Sequence, residues 1–182
     1  MATLSHGRGW LADDAAASIN RMDKAYGGPI PINSAGRTWA EQNDLYRDYL
    51  YNGGALALPP GTSIHESGRA VDFRNTVWSW LGSGKGLGWN GARANGFGWR
   101  RTVPSEAWHF EYDRDRDIAF AQGYLGLDID GDQGPKTTEG IKQFQRDNGL
   151  DPDGSCGPAP RSKMEAKAPA KADKTVEDRH SW

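Results

Sequence analysis

Of the four histidines, His65 and His109 sit where the surrounding residues make chemistry possible. His65 opens the stretch "HESGRAVDF", in which Asp72 follows seven residues later. Val71 and Phe73 alternate with Ala70 and Asp72, and Trp108, Phe110 and Tyr112 alternate with His109 and Glu111. Both stretches predict strands with one apolar face, so Asp72 and His109 fall on the faces opposite the apolar stripes. If the strands are neighbours, both side chains open into one cleft. Two imidazoles and one carboxylate form a three-ligand set for catalytic zinc, with the fourth position left to water. Seven extended residues would hold His65 and Asp72 roughly 23 Å apart, so the chain must fold back between them. Ser67-Gly68 supplies a turn for that. The same residues also read as satisfied polar side chains and a solvated aspartate. "HES" is not the H-E-x-x-H zinc helix, because Arg69 stands where the second histidine would be.

The elements that must position this set follow from periodicity and punctuation. Leu11, Ala15, Ile19, Met22 and Tyr26 recur at helical spacing and are stopped by Gly27-Gly28-Pro29. "PIPIN" reads as a short edge strand. Thr38 and Glu41 form a capping-box signature before Trp39, Gln42, Tyr46, Tyr49 and Leu50, and Asn52-Gly53-Gly54 ends that helix. "GWNGARANGFGW" reads as a short helix, a glycine stop and a short strand. The order is α+β, a small antiparallel sheet with flanking helices, without βαβ repetition. Strict alternation would set Glu106 on the face opposite His109, so a turn at Pro104-Ser105-Glu106 is expected before the second strand. Arg37 lies just before the helix cap, where a positive charge is mildly unfavourable against the helix dipole.

Seven of eight tryptophans precede residue 110, and the charged run from Asp113 to Asp117 reads as a boundary. Beyond it, "DIDGDQGP" and "DPDGSCGP" share D-x-D-G-x-x-G-P at an offset of 23 residues, with a helix carrying Ile141, Phe144 and Gln145 between them. This duplicated turn-plus-helix unit predicts a small helical domain. A calcium loop competes, since Asp128, Asp130, Asp132 and Glu139 follow EF-hand spacing. Gln133 stands where that loop demands glycine, and the second copy lacks the acidic spacing. The division expected is 1–113, 114–165 and a flexible tail over 166–182, rich in Ala, Lys, Asp and Pro. Terminal His6 and His180 read as solvated.

The chain has 182 residues, with 22 Lys plus Arg against 24 Asp plus Glu and a net charge of −2. That balance argues against a broad electrostatic grip on nucleic acid or an anionic membrane. No run approaches the ~18 apolar residues of a membrane span. No charged head precedes an apolar run at the start, so no secretory signal is expected. One cysteine, Cys156, excludes an intramolecular disulfide and a multi-cysteine metal site.

"SIHESGRAVD" resembles the S-x-H-x-x-G-x-A-x-D motif of the D-alanyl-D-alanine carboxypeptidase and VanY-type zinc peptidases. "EAWHF" resembles their E-x-x-H motif, and "GRTWAEQNDLY" their upstream arginine helix. The three stand in family order over roughly residues 30–112. The resemblance implies that His65, Asp72 and His109 bind Zn²⁺ and that Glu106 is the general base. It also implies that Arg37 binds substrate or stabilises the developing oxyanion. Gln42, one turn along, and Ser63, two residues before His65, are further substrate-contact candidates, and Trp108 is assigned to the neighbourhood of the site. Residues 115–165 resemble the type 1 peptidoglycan-binding domain, a three-helix module, through "IDGDQGPKT", "IKQFQRDNGL" and "PDGSCGP". The first helix of that module is expected to be short, and Ala159-Pro160 departs from the usual start of its last helix. The pairing resembles a phage endolysin, made in the host cytoplasm and acting at the bacterial wall. The expectation is a monomer whose partner is peptidoglycan. It would cut between L-Ala and D-Glu of the stem peptide, with a carboxypeptidase or an inactive wall-binding protein as alternatives.

Overall fold

A computed structural model describes residues 1–82 and 91–167. Trp89, His180 and the tail from residue 168 lie outside the described residues. The chain opens with a two-stranded ribbon, β1 (Ala2–Thr3) and β2 (Trp10–Leu11), and then α1 (Asp13–Tyr26). Next come β3 (Ile32–Ser34), α2 (Trp39–Tyr51), β4 (Ala70–Phe73), α3 (Trp78–Leu81), α4 (Ala92–Gly96), β5 (Phe97–Arg100) and β6 (His109–Asp117). Three helices close the described chain: α5 (Ile118–Tyr124), α6 (Pro135–Asp147) and α7 (Pro158–Lys167). The main sheet has the order β3-β4-β6-β5 with every neighbour antiparallel. The architecture is α+β with a small three-helix unit after it.

The apolar stripes point where alternation sends them. Val71, Phe73, Phe97, Trp99 and Phe110 meet Leu11, Ile19 and Met22 in one core, all of them 0–1 % exposed. Removing such side chains from water is worth about 1.5–3 kcal/mol each, which fixes the register of the strands that carry them. Ser18 ties α1 to β5: its hydroxyl donates to the Phe97 carbonyl at 2.6 Å and accepts from Trp99 Nε1 at 3.0 Å. With this face buried, the opposite face of β4 and β6 is free for polar side chains.

The acidic-basic run is not a linker. Asp113 to Asp117 is the second half of β6, and Asp117 pairs with Phe97 of β5. Asp117 is buried because four groups satisfy it: Arg21, Arg161 at 3.8 Å, the Tyr112 hydroxyl at 2.8 Å and the Phe120 amide at 3.0 Å. Through the last of these it caps α5, so strand runs directly into helix. Arg161, from α7, also stacks on Phe120 with its guanidinium 3.4 Å from the ring centre. The three-helix unit is therefore packed onto the sheet. A second seam lies where Gly96 meets Gly131, since a Cβ on Gly96 would fall 1.7 Å from the Gly131 carbonyl oxygen.

The duplicated motif extends further than its aspartates. In the first copy the Gln122 amide donates to Asp130 Oδ1 (2.6 Å) and the Asp132 carbonyl (2.9 Å), and accepts from Gly131 N (2.9 Å). In the second, Gln145 donates to Asp153 Oδ1 (2.7 Å) and the Ser155 carbonyl (2.9 Å), and accepts from Gly154 N (2.8 Å). Each D-G turn is thus clamped by a helical glutamine 23 residues from its twin. Both glycines take positive φ, +72° and +80°. Of the acidic groups that suggest calcium, Asp130 already holds two amide donors and Glu139 holds Arg146, and the copy without EF-hand spacing has the same clamp. Pro160 does not prevent α7, because it falls in the first turn, where a missing amide hydrogen costs nothing. The helix includes residues 166 and 167, which the composition had assigned to the tail.

Cys156 lies in the apolar centre of this unit with Ala121, Ile141, Phe144 and Met164. Burial pushes its thiol up to about 11. The folded protein should accordingly resist alkylation at neutral pH and react once denatured, as mass spectrometry would show. Full labelling of the native protein would contradict this packing.

Candidate metal centre and its surroundings

His65 sits on a single 3₁₀ turn, Ile64–Ser67, that closes on Gly68 at φ +69°. The fold-back between His65 and Asp72 is this turn. Gly68 is needed twice, for its left-handed conformation and because a Cβ there would lie 2.6 Å from Ala12 N and 2.8 Å from the Trp10 ring. Gly68→Ala should cost about 1–3 kcal/mol, read as a lowered thermal midpoint. An unchanged melting curve would refute that account of the turn.

Asp72 and His109 are direct cross-strand partners on β4 and β6. Their side chains meet, with His109 Nδ1 3.1 Å from Asp72 Oδ1. His65 Nε2 lies 3.5 Å from the same oxygen and 3.3 Å from His109 Nδ1. Among the described residues, these three form the one group of three or more His, Cys, Asp or Glu donors that could hold a metal ion. Ligand atoms of a tetrahedral zinc at about 2.0–2.1 Å lie about 3.3 Å from one another. The observed spacing of 3.1–3.5 Å fits that demand. The far nitrogen of His65 is also committed, with Nδ1 donating to the Ala35 carbonyl at 2.7 Å, which leaves the Nε2 lone pair for the cluster. Both histidine side chains are under one-tenth exposed.

The charges are arranged to match. Burial alone would raise the Asp72 pKa, but hydrogen bonds from His109 and His65 outweigh it and hold the carboxyl well below its ordinary value. Burial would lower His109, but its hydrogen bond with Asp72 and the charges of Asp72 and Glu106 raise it. Perturbation by burial together with a specific charge partner is a mark of a candidate functional site.

Glu106 is turned towards the cluster. The chain bends twice before β6 begins, with Glu106 N donating to the Val103 carbonyl (3.1 Å) and His109 N to the Glu106 carbonyl (3.3 Å). Arg101 Nε holds the first bend through the Glu106 carbonyl at 3.1 Å. Glu106 Oε2 consequently lies 4.0 Å from His109 Nδ1 with the side chain 39 % exposed. The expected turn is present, and the strand starts at His109. For that reason Trp108 does not join the apolar stripe. It lies in the second bend, 42 % exposed.

Arg37 is joined to the His65 turn through its backbone, its amide donating to the His65 carbonyl at 3.0 Å. The capping box is formed, with Thr38 N donating to Glu41 Oε2 at 2.7 Å. The Arg37 guanidinium donates to Gln42 Oε1 at 2.7 Å and Ser34 Oγ at 3.4 Å. It borders a cavity of ≈ 570 Å³ shared with Ser34, Gly36, Glu41, Asp44, Leu45 and Asp48. The metal cluster itself does not line that cavity. Gln42 differs from the expectation. It is 1 % exposed, and its amide is spent on Arg37 and on the Leu58 carbonyl, 2.7 Å away. Its side chain thus joins Arg37 to the loop that carries Leu58. Ser63 caps the His65 turn, its amide donating to Glu66 Oε2 at 3.2 Å, and is half-buried.

Residues 120–164 match the family model for a peptidoglycan binding domain, PG_binding_1. An uncharacterized protein from the bpoA1 3′ region of Kitasatospora aureofaciens is 45 % identical over 42 residues. That match covers 23 % of this chain and only 36 % of the relative's length. Three solved structures have loosely similar shapes. The D,D-pentapeptidase VanY of a VanB-type vancomycin resistance cassette, in complex with Zn(II), has a TM-score of 0.44 at 23 % identity, over 70 % of this chain and 85 % of that one. DacB from Streptococcus pneumoniae has 0.45 at 20 %, over 70 % and 86 %. The LD-carboxypeptidase LdcB has 0.42 at 21 %, over 66 % and 74 %. No helix among the described residues is long and apolar enough to cross a membrane.

Proposed function

We propose that the chain is a zinc-dependent peptidase of the peptidoglycan stem peptide, held on its substrate by the three-helix unit. The observation that carries this reading is the convergence of His65, Asp72 and His109 at zinc-ligand spacing with Glu106 beside them. The peptidoglycan-binding match over residues 120–164 supports the substrate.

A bound Zn²⁺ polarises a carbonyl and lowers the pKa of water from 15.7 towards ~7. His65, Asp72 and His109 would hold it. Glu106 takes a proton from the attacking water and hands it to the leaving amine. Arg37, oriented by Gln42, offers its remaining N–H groups to the substrate carbonyl or a neighbouring carboxylate as charge develops. Trp108 and Ser63 flank the path of the peptide.

The bond we assign is L-Ala–D-Glu. Cutting there frees the peptide network from the glycan, whereas trimming a terminal D-Ala leaves every cross-link standing. A wall-binding unit suits that task, because it raises the enzyme's effective concentration on an insoluble substrate. The reading extends to an endolysin made in the host cytoplasm and acting on the wall as a monomer. Mass spectrometry of fragments from defined peptidoglycan tests it: new D-Glu or D-isoGln amino termini are expected. Free D-Ala as the sole product would assign a carboxypeptidase, and no product at all would leave a wall-binding protein.

A further inference from the structure

Glu111 was not singled out by any motif, yet it reaches the cluster from behind. It follows His109 by two residues on β6, so the two side chains share a face. Its Oε1 lies 3.4 Å from His109 Nε2, the ring nitrogen turned away from Asp72 and His65. Three features aim it there. Its cross-strand neighbour on β4 is Ala70, whose methyl offers no competing charge. Its neighbour on β5 is Arg100, whose guanidinium is turned to Asp113 at 3.8 Å. The side chain is one-third exposed, so the carboxylate keeps part of its hydration.

We infer that Glu111 is a positioning residue for the metal centre, holding His109 with its proton on Nε2 so that the Nδ1 lone pair faces the ion. This rests on the zinc reading above. His65 is oriented by the Ala35 carbonyl, a neutral acceptor, whereas His109 is oriented by a carboxylate. The two ligands are therefore unequal. A carboxylate behind an imidazole makes the ring a stronger donor and fixes its tautomer, and losing such a partner typically costs 10–100-fold in metal affinity. Glu111 touches neither substrate nor ion, and it acts through His109 alone.

The test is zinc affinity of the full chain by competition with a chromophoric chelator, for the parent, Glu111→Gln and Glu111→Ala. Glu111→Ala should bind zinc about 10–100-fold more weakly. Glu111→Gln should fall between, since its amide oxygen still accepts from Nε2 but carries no charge. The melting temperature of the metal-free proteins should stay the same, which separates positioning from a general loss of fold. Nitrogen-15 spectra of the parent should show the Nε2–H tautomer of His109, and the Ala variant should lose that preference. Parental affinity in Glu111→Ala would overturn the inference while leaving the zinc site standing. A parent that binds no zinc would overturn both.

Discussion

Replacing Glu106 by Gln should leave zinc bound and the fold intact while turnover on purified walls falls at least ~100-fold. The substitution preserves volume and removes only the capacity to take a proton. Glu106 does not complete the cluster: its nearest oxygen is 4.0 Å from His109 Nδ1, whereas the three donors lie 3.1–3.5 Å from one another. Its side chain is the most exposed of the four, so it can meet a water and a leaving group without being unburied. Release of new amino termini reports the turnover, and the metal content of the same sample reports the site. A Gln variant working at near-parental rate would move the base elsewhere. One that lost its zinc would make Glu106 a ligand.

The second large effect is at His109. His109→Ala should abolish zinc retention and wall hydrolysis together, because two remaining donors do not make a catalytic zinc site. It also strips the half-buried Asp72 of its 3.1 Å partner, leaving His65 Nε2 at 3.5 Å. Some loss of stability is expected with the loss of metal, since breaking a buried pair leaves an uncompensated charge. The control is a parent sample kept in chelator, which should fold and bind walls but not digest them. Complete digestion by that sample would exclude metal chemistry.

The pairing of Asp72 with His109 was legible because alternation is a strict constraint. Once Val71, Phe73, Phe110 and Tyr112 face the core, their neighbours must face away, and the burial fixes the register. Glu106 was legible in part, as a turn that had to exist. Trp108 was misplaced by one residue's worth of strand, because the bend at Glu106 extends to the residue before His109. Gln42 was expected as a substrate contact, since nothing in a helical pattern reveals that the Leu58 carbonyl from a later loop will lie over it. Glu111 carried a usable signal, the period of two from His109, but no motif drew attention to it. The run from Asp113 to Asp117 read as a boundary, and its charges gave no sign that β6 continues through it. Burial of Asp117 depends on Arg21 and Arg161, which are distant in sequence and invisible to local reading. The glutamine clamps could have been found by extending the 23-residue offset backwards from each D-x-D-G turn.

Asp117 ends one element and caps the next, so no residue is left over between β6 and α5 to act as a hinge. Rotating the helical unit there would part the buried Asp117 carboxylate from Arg161 and the Phe120 amide, and Gly96 from Gly131. The spacing from the three-helix unit to the metal cluster is thus a fixed length, not a range set by a tether. Under the proposed peptidase reading, a molecule built this way would sample only the stem peptides at that one distance from where it is anchored. To reach the next one the whole molecule has to let go, so tighter anchorage and faster progress along the wall pull against each other.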